Sequence, residues 1–310
     1  MEKYDLKKHG VSQGLLSMFM RCRQETALWM QGLEPLRTTQ GLQFGTVAHI
    51  LLEKIYSKAH QPSRDEIFKA MESAEHLYLK ERGGRISAEE EEFLQMTMVL
   101  LESVMPSYFV HHKKDFGKVK WAELEQKFKV ASPIDGIDMV GRIDGAFWIG
   151  KELWLRENKT KSRIEEDILT DSLTFDFQNS FYNYALYQKY CAWPKGVLYD
   201  ITRRPGEKQK QGESLVQFRR RVEERVQSEP EHYFLRYEIS IPKVERERFI
   251  MEVTHIIKEF RDWVEGILPT YRNTSSCIQR FGPCRFLPVC ANNEMNLYRK
   301  REELFPELAR

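Results

Sequence analysis

Two acids and a lysine are the residues whose types and spacing could do chemistry. Asp144 is followed, after a dozen intervening residues, by Glu157-x-Lys159. The stretch 141–159 predicts two strands joined by a tight turn at Gly150-Lys151, since glycine takes the positive φ that hairpin turns need. Alternation along the second strand puts Leu153, Leu155, Glu157 and Lys159 on one face and Trp154, Arg156 and Asn158 on the other. The hairpin then brings Asp144 toward Glu157 and Lys159 at the end of a sheet. Two carboxylates hold a hard divalent cation such as Mg²⁺ through oxygen. Such a cation lowers the pKa of a bound water and stabilises charge on a phosphate. Lys159 would orient that water and offset developing negative charge. Glu-x-Lys alone describes any solvated hairpin edge carrying an ion pair, because charged residues mostly sit on surfaces. Other segments must decide.

Residues 43–58 predict a helix with a broad apolar face of Phe44, Val47, Ala48, Leu51, Leu52 and Ile55. His49, Glu53 and Tyr56 lie on a separate stripe. A histidine beside an apolar face is most often structural, but the small residues of Gly45-Thr46-Val47-Ala48-His49 let another backbone approach. Imidazole is a good ligand for Mn²⁺ and a tolerable neighbour for Mg²⁺. Residues 175–191 predict a helix with Gln178 and Tyr182 four apart on one face. Gln178 can donate to a phosphate, and Tyr182 can stack or donate. An ordinary amphipathic helix explains the pair equally well.

Cys277-x6-Cys284-x5-Cys290 lies in a loop rich in Pro, Gly and Ser. Three clustered cysteines suggest a metal, and a closed site needs a fourth thiolate, from Cys22 or Cys191. Cysteine count does not separate zinc from an iron–sulfur cluster.

These groups must be positioned by a chain of 310 residues, 41% apolar, 30% charged, with net charge +2. That is enough for one large domain or two modest ones. The balance gives no global sign of nucleic-acid binding. No run of about 18 apolar residues is read, so no membrane span is expected. The N-terminal residues lack an apolar signal core, and a cytoplasmic, reducing location is expected, where five cysteines are free or metal-bound rather than paired. A helix is predicted over 11–32, with Cys22 on it. Capping boxes at Ser63-x-x-Glu66 and Ser87-x-x-Glu90 open two more helices, to about Glu81 and through Val104. Strands follow at 119–130, 137–148 and 152–159, with a turn at Pro133-Ile-Asp-Gly136. A strand at 196–202 precedes a basic loop, 203–212, which is either a surface loop or a phosphate-contacting flap. A helix at 214–228 carries Arg219-Arg220-Arg221, more simply a solvated face than a DNA contact. A strand at 233–241 and a long helix at 242–267 follow. No phosphate-loop motif occurs, so an ATP motor of the common kind is excluded.

Taken together these residues resemble the RecB-like PD-(D/E)XK nucleases, and within them the iron–sulfur branch that includes the CRISPR-adaptation exonucleases and the AddB nuclease domain. The likeness runs from Cys22 to Cys290. His49 matches the Gly-Thr-x-x-His motif, Asp144 the Gly-x-x-Asp-Gly motif, Glu157 and Lys159 the Asp/Glu-x-Lys motif, and Gln178 and Tyr182 the Gln-x-x-x-Tyr motif. Cys22, Cys277, Cys284 and Cys290 match the one-plus-three cysteines that clamp a [4Fe–4S] cluster, although the first spacing of six residues is longer than the two often seen.

The resemblance implies an α/β fold: a restriction-endonuclease-like core with a central mixed sheet flanked by helices, a helical insertion, and a C-terminal cluster-binding tail. The corresponding segments are 1–60, 61–115 (insertion), 116–270 (nuclease core) and 271–310 (cluster segment). It implies one or two Mg²⁺ or Mn²⁺ ions on His49, Asp144, Glu157 and the Asn158 carbonyl, with Lys159 orienting the attacking water and Gln178 and Tyr182 holding DNA. The implied activity is an exonuclease on single-stranded or frayed duplex DNA ends, in recombination or repair. A helicase or recombination protein, or a second copy of the chain, would be its partner. The rival readings are a non-catalytic DNA-binding or assembly subunit of the same fold, and a zinc-stabilised hydrolase.

Overall fold

The strand alternation read over 119–159 becomes three long antiparallel strands. In the computed structural model, residues 4–36, 40–58, 60–81, 86–117, 119–164, 169, 172–279 and 282–301 are described. In chain order the elements are α1 (Leu6–His9), β1 (Val11–Ser12), α2 (Gln13–Arg21), α3 (Arg23–Met30), β2 (Leu33–Pro35), α4 (Gln40–Tyr56), α5 (Arg64–Glu81) and α6 (Ala88–His111). Then come β3 (Lys120–Ala131), β4 (Asp138–Ile149), β5 (Glu152–Lys161), α7 (Phe177–Tyr190), β6 (Gly196–Arg203), α8 (Leu215–Ser228), α9 (Pro230–Tyr233), β7 (Phe234–Ser240) and α10 (Lys243–Val264). The tail adds β8 (Ile278–Gln279), β9 (Gly282–Pro283), α11 (Leu287–Asn292) and β10 (Tyr298–Lys300).

The central sheet is mixed and runs β1-β4-β5-β6-β7, with β3 on the other edge of β4. β3, β4 and β5 are antiparallel, whereas β5 and β6 are parallel and joined through α7, because parallel strands need a crossover. One apolar core packs α2, α7 and α10 against one face, through Leu16, Leu155, Phe181, Ile201, Val253 and Phe260. A second core joins α4, α5, α6 and α8, through Phe44, Leu51, Leu101, Phe218 and Val222, with Trp121 and Leu124 of β3 against it. The central mixed sheet flanked by helices is the α/β, restriction-endonuclease-like arrangement expected from the sequence.

Between these layers lies a buried ionic cluster. The Arg156 side chain is 2% exposed and donates to Asp200 Oδ2 at 2.7 Å, Tyr56 Oη at 3.1 Å, Asn158 Oδ1 at 2.9 Å and the Tyr108 hydroxyl. Its guanidinium also sits 4.2 Å from the Tyr56 ring centroid. Arg236 pairs with both Asp115 and Asp200. Tyr56, Tyr108 and Asp115 come from the helical layer, so this cluster fastens that layer to the back of β5.

Three readings change. The helix expected over 11–32 is two helices, because Cys22 takes an extended conformation (φ −163°, ψ 114°) between α2 and α3. The helix expected to end at Val104 runs through Pro106 to His111; Val104, Met105, Tyr108 and Phe109 around the proline are all buried, and tertiary packing overrides the proline's missing donor. That same helix, of 24 residues, is long and apolar enough to cross a membrane by length and composition, which corrects the expectation that no such run exists. Its apolar window is 67% buried within the protein, as a core helix requires.

Candidate active site

The site forms where two strands part. β4 and β5 pair from Ile149↔Glu152 back to Gly145↔Arg156 and no further. On the edge that β5 leaves, β1 pairs with Met139 and Val140. Residues 157–161 of β5 continue beside β6 alone. This fork frees the Asn158 N–H, and the Asp144 carboxylate accepts it at 2.8 Å, so a side chain takes the bond that a ladder partner would have supplied. Asp144 is thereby fixed at the mouth of the fork.

α4 crosses at this point. A β-carbon on its Gly45 would lie 3.1 Å from Thr160 Oγ1, so glycine lets the helix approach β5 closely. His49, one turn further along, places Nδ1 3.5 Å from Asp144 Oδ1 and 3.0 Å from Glu125 Oε1. Among the described residues, His49, Glu125 and Asp144 are the one group of three or more histidine, cysteine or acidic side chains whose ligand atoms all lie within 4.8 Å of one another.

Glu157 and Lys159 share a face of β5, as the alternation requires, and their side chains are in direct contact. Gln178, from the first turn of α7, donates to Glu157 Oε1 at 2.6 Å and accepts from Lys159 at 3.2 Å. The Glu157 side chain is 1% exposed, and its Oε2 is buried without a hydrogen-bond partner among the described residues. A buried acceptor left open in this way is costly unless something else binds it. Tyr182 is 9% exposed and lies edge-on to Phe128 at 5.9 Å. It packs beneath β4, and Gln178 is the member of the pair that reaches the acid and the lysine.

Electrostatics follow from this crowding. Burial acts to lower the His49 pKa, but Asp144 and Glu125 beside it outweigh burial and carry it up to about 9. The imidazolium therefore supplies positive charge between two acids at neutral pH. Burial and the Asp144 charge push Glu157 upward, against the pull of Lys159. Burial disfavours the Lys159 ammonium, yet Glu157 and Asp144 lift its pKa above the ordinary value. The ammonium and the Gln178 amide both donate to Oε1, which favours an ionised Glu157 at neutral pH.

Glu125 was not singled out in the sequence. Its signal was the turn at 133–136, which pairs Ala131 with Asp138 and sets a register in which 125 falls opposite 144. Arg142, also missed, reaches Glu125 Oε2 at 3.3 Å. The Asn158 carbonyl has no described contact with the group. The three clustered arginines do not form an open basic face: Arg219 pairs with Glu102, Arg220 with Glu224 and Arg221 with Glu213. Arg203 and Arg204 instead line a hollow with Ser162, Arg225 and His232 beyond the end of β5.

The tail docks at the break between α2 and α3. The Asn273 N–H donates to Cys22 Sγ at 3.4 Å, and its side chain to the Arg21 carbonyl at 2.9 Å. Cys284 N–H donates to the Cys277 carbonyl at 2.8 Å, and strands β8 and β9 occupy the spacing between these cysteines. Burial pushes Cys284 and Cys290 up; Glu25 and then the Cys290 and Cys22 thiols add to this at Cys284, against a backbone hydrogen bond from Phe286, and the Cys22 and Cys277 thiols add to it at Cys290. Cys22 therefore belongs with the three tail cysteines in space, while Cys191 is exposed at the end of α7. β10 also pairs with β2, a second tie between the tail and the N-terminal region.

A family model for the PD-(D/E)XK nuclease superfamily matches residues 11–291. A crystal structure from Eubacterium rectale, of a protein described as an exonuclease by inference, superposes with a TM-score of 0.53 at 10% identity, covering 92% of this chain and 94% of that one; it shows a shared fold. The structure of SSO0001 gives a TM-score of 0.30 at 10% identity, over 76% of this chain and 78% of that one, and supports no further comparison. No curated protein matches the chain.

Proposed function

The chain belongs to the PD-(D/E)XK nuclease superfamily, and from that premise we propose that it is a divalent-metal-dependent DNA exonuclease acting on single-stranded or frayed ends, in recombination or repair. The observation that carries this reading is the fork: Asp144 and His49 meet at its mouth, and Glu157 and Lys159 on the strand that leaves it are bonded to each other and to Gln178 of α7.

The residues suit Mn²⁺ or Mg²⁺, since two or three carboxylates and one imidazole offer hard oxygen with a single nitrogen. The unpartnered Glu157 Oε2 is an acceptor of the kind a cation would complete. The bound ion supplies a water of lowered pKa and neutralises charge on the scissile phosphate. The protein groups do the positioning. Asn158 N–H holds Asp144, the Gln178 amide holds Glu157, and the Lys159 ammonium orients the attacking water and offsets charge on the phosphate oxygens. Arg203 and Arg204 would contact phosphates further along the strand.

We also propose a [4Fe–4S] cluster on Cys22, Cys277, Cys284 and Cys290. The sulfurs are close enough to perturb one another, yet no three of them lie within 4.8 Å. A closed tetrahedral zinc site, with Zn–S of about 2.3 Å, draws its sulfurs to about 3.8 Å. A cluster on these four thiols would brace the tail against the N-terminal helices, which Asn273 already joins at Arg21 and Cys22.

End-labelled single- and double-stranded DNA, digested with Mg²⁺ or Mn²⁺ and read on a gel, tests the activity. Wild type should shorten the label progressively, and Asp144→Asn and Lys159→Met should each lose at least about a hundredfold in rate. Variants as active as wild type would reject the assignment, and DNA binding without cleavage under any divalent ion would favour a non-catalytic subunit.

A further inference from the structure

We infer that Glu125 is a ligand of the same cation as His49 and Asp144, a third protein ligand supplied from the strand on the far side of β4. This rests on the nuclease reading above and adds a residue that the family motifs do not contain.

Four observations place it there. Glu125 falls opposite Asp144 in the β3–β4 register, between the pairs Leu124↔Gly145 and Gln126↔Ile143. Carboxylates directly opposite on antiparallel strands repel unless positive charge lies between them. Glu125 has φ +44° in the middle of a strand, a region that residues with a β-carbon rarely enter, and strain of this kind gathers at functional sites. Its side chain is 5% exposed, with Oε1 3.0 Å from His49 Nδ1 and Oε2 turned outward to Arg142 at 3.3 Å. One oxygen is thus neutralised from outside, and the other faces the point on which His49 and Asp144 converge.

An independent observation is an acceptor left open beside this centre. Asp144 and His49 both act electrostatically on Glu157; its side chain is 1% exposed and its Oε2 is buried with no partner among the described residues. Arg142 is half exposed on the far side of Glu125, and Lys159 is already bound to Glu157 Oε1. A divalent cation would be held among His49 Nδ1, Glu125 Oε1 and Asp144 Oδ1, whose ligand atoms lie within 4.8 Å of one another. It would also separate the two opposed carboxylates and leave positions open for water and phosphate.

The test is Mn²⁺ affinity of the full-length protein, read from the electron paramagnetic resonance of free Mn²⁺ during titration. The variants are Glu125→Gln, His49→Ala, their double variant, and Asp144→Asn. Glu125→Gln should weaken Mn²⁺ binding by about tenfold or more, and by a similar factor when His49 is already alanine. Unchanged affinity in Glu125→Gln overturns the inference. So does a loss that vanishes in the His49→Ala background, which would make Glu125 only a prop for the imidazole. Asp144→Asn separates the two claims. If it leaves Mn²⁺ affinity unchanged, the nuclease site itself is wrong; if it abolishes binding while Glu125→Gln does not, only the Glu125 assignment falls. Circular dichroism checks folding, and if Glu125→Gln does not fold, Glu125→Asp, which keeps the charge but shortens the reach, carries the same comparison.

Discussion

Replacing Arg156 by methionine should cost several kcal/mol of stability without touching the reacting groups. Arg156 precedes Glu157 on β5 but faces the opposite side. Its guanidinium gives hydrogen bonds to Asp200, Tyr56, Tyr108 and Asn158 and lies 3.5 Å from Asp115. Methionine keeps most of the side-chain volume under Tyr56 and Trp121, so packing is largely retained. What is lost is one partner of a buried ionic cluster. Asp200, 2% exposed, keeps only Arg236 as a direct guanidinium partner, and the Tyr56 and Asn158 oxygens lose a donor. Removing one member of a buried pair costs about 3–5 kcal/mol, because the remaining charge is left poorly compensated. A chain of 310 residues unfolds with an entropy of about 0.65 kcal/mol per kelvin, so the melting temperature should fall by about 5–8 °C. Differential scanning calorimetry reads this directly. Combining Arg156→Met with Asp200→Asn should cost less than the two separate losses together, with a coupling of about 1–3 kcal/mol. A melting temperature within about 2 °C of wild type, or strict additivity in the double variant, would refute the view that this cluster holds the helical layer to β5.

Other expectations follow from single positions. His112 is buried with Nε2 3.8 Å from Asp200 Oδ1; burial first, then Arg236 and Arg156, outweigh Asp200 and hold its pKa down to about 4. Its unfolded-state value is higher, so its contribution is complete above about pH 6.5 and is lost as pH falls toward 4, a change of about 3 kcal/mol. Urea unfolding of wild type against His112→Gln from pH 7 to pH 4 should show the two converge, and a constant gap would contradict it. A β-carbon at Gly196 would lie 2.5 Å from the Ile239 carbonyl oxygen, so Gly196→Ala should cost about 1–3 kcal/mol by forcing β6 and β7 apart; an unshifted urea midpoint would show that the strands yield freely. Protein purified without oxygen should be brown and contain iron, and Cys22→Ala should lose the colour while remaining folded through the β2–β10 pairing. A colourless protein containing zinc would dismiss the cluster.

Much of the site was legible because its signals are local. Glu157 and Lys159 lie two apart on a strand, so period-two alternation alone puts them on one face. Gln178 and Tyr182 are four apart on a helix, which the periodicity also places correctly. The same local logic does not set depth: Tyr182 sits on the buried side of α7, and whether a helical position faces a cleft or a core is decided by what packs there. The 11–32 helix failed for a related reason. Its residues suit a helix throughout, and it is the docked tail, bonded to Arg21 and Cys22, that accompanies the break.

By itself the sequence determined the fold class, the hairpin, and the order of His49, Asp144, Glu157 and Lys159 along the chain, since alternation, turns and motif spacing are properties of neighbouring residues. Tertiary structure alone decided that β4 and β5 part after Gly145, that α4 crosses the gap closely enough for His49 to reach Asp144, and that Glu125 joins them. Those contacts link residues 76 and 95 positions apart in the case of His49, counted from 49 to 125 and from 49 to 144. No local pattern specifies such separations; they follow from where the sheet is forced to open and which helix fills the space.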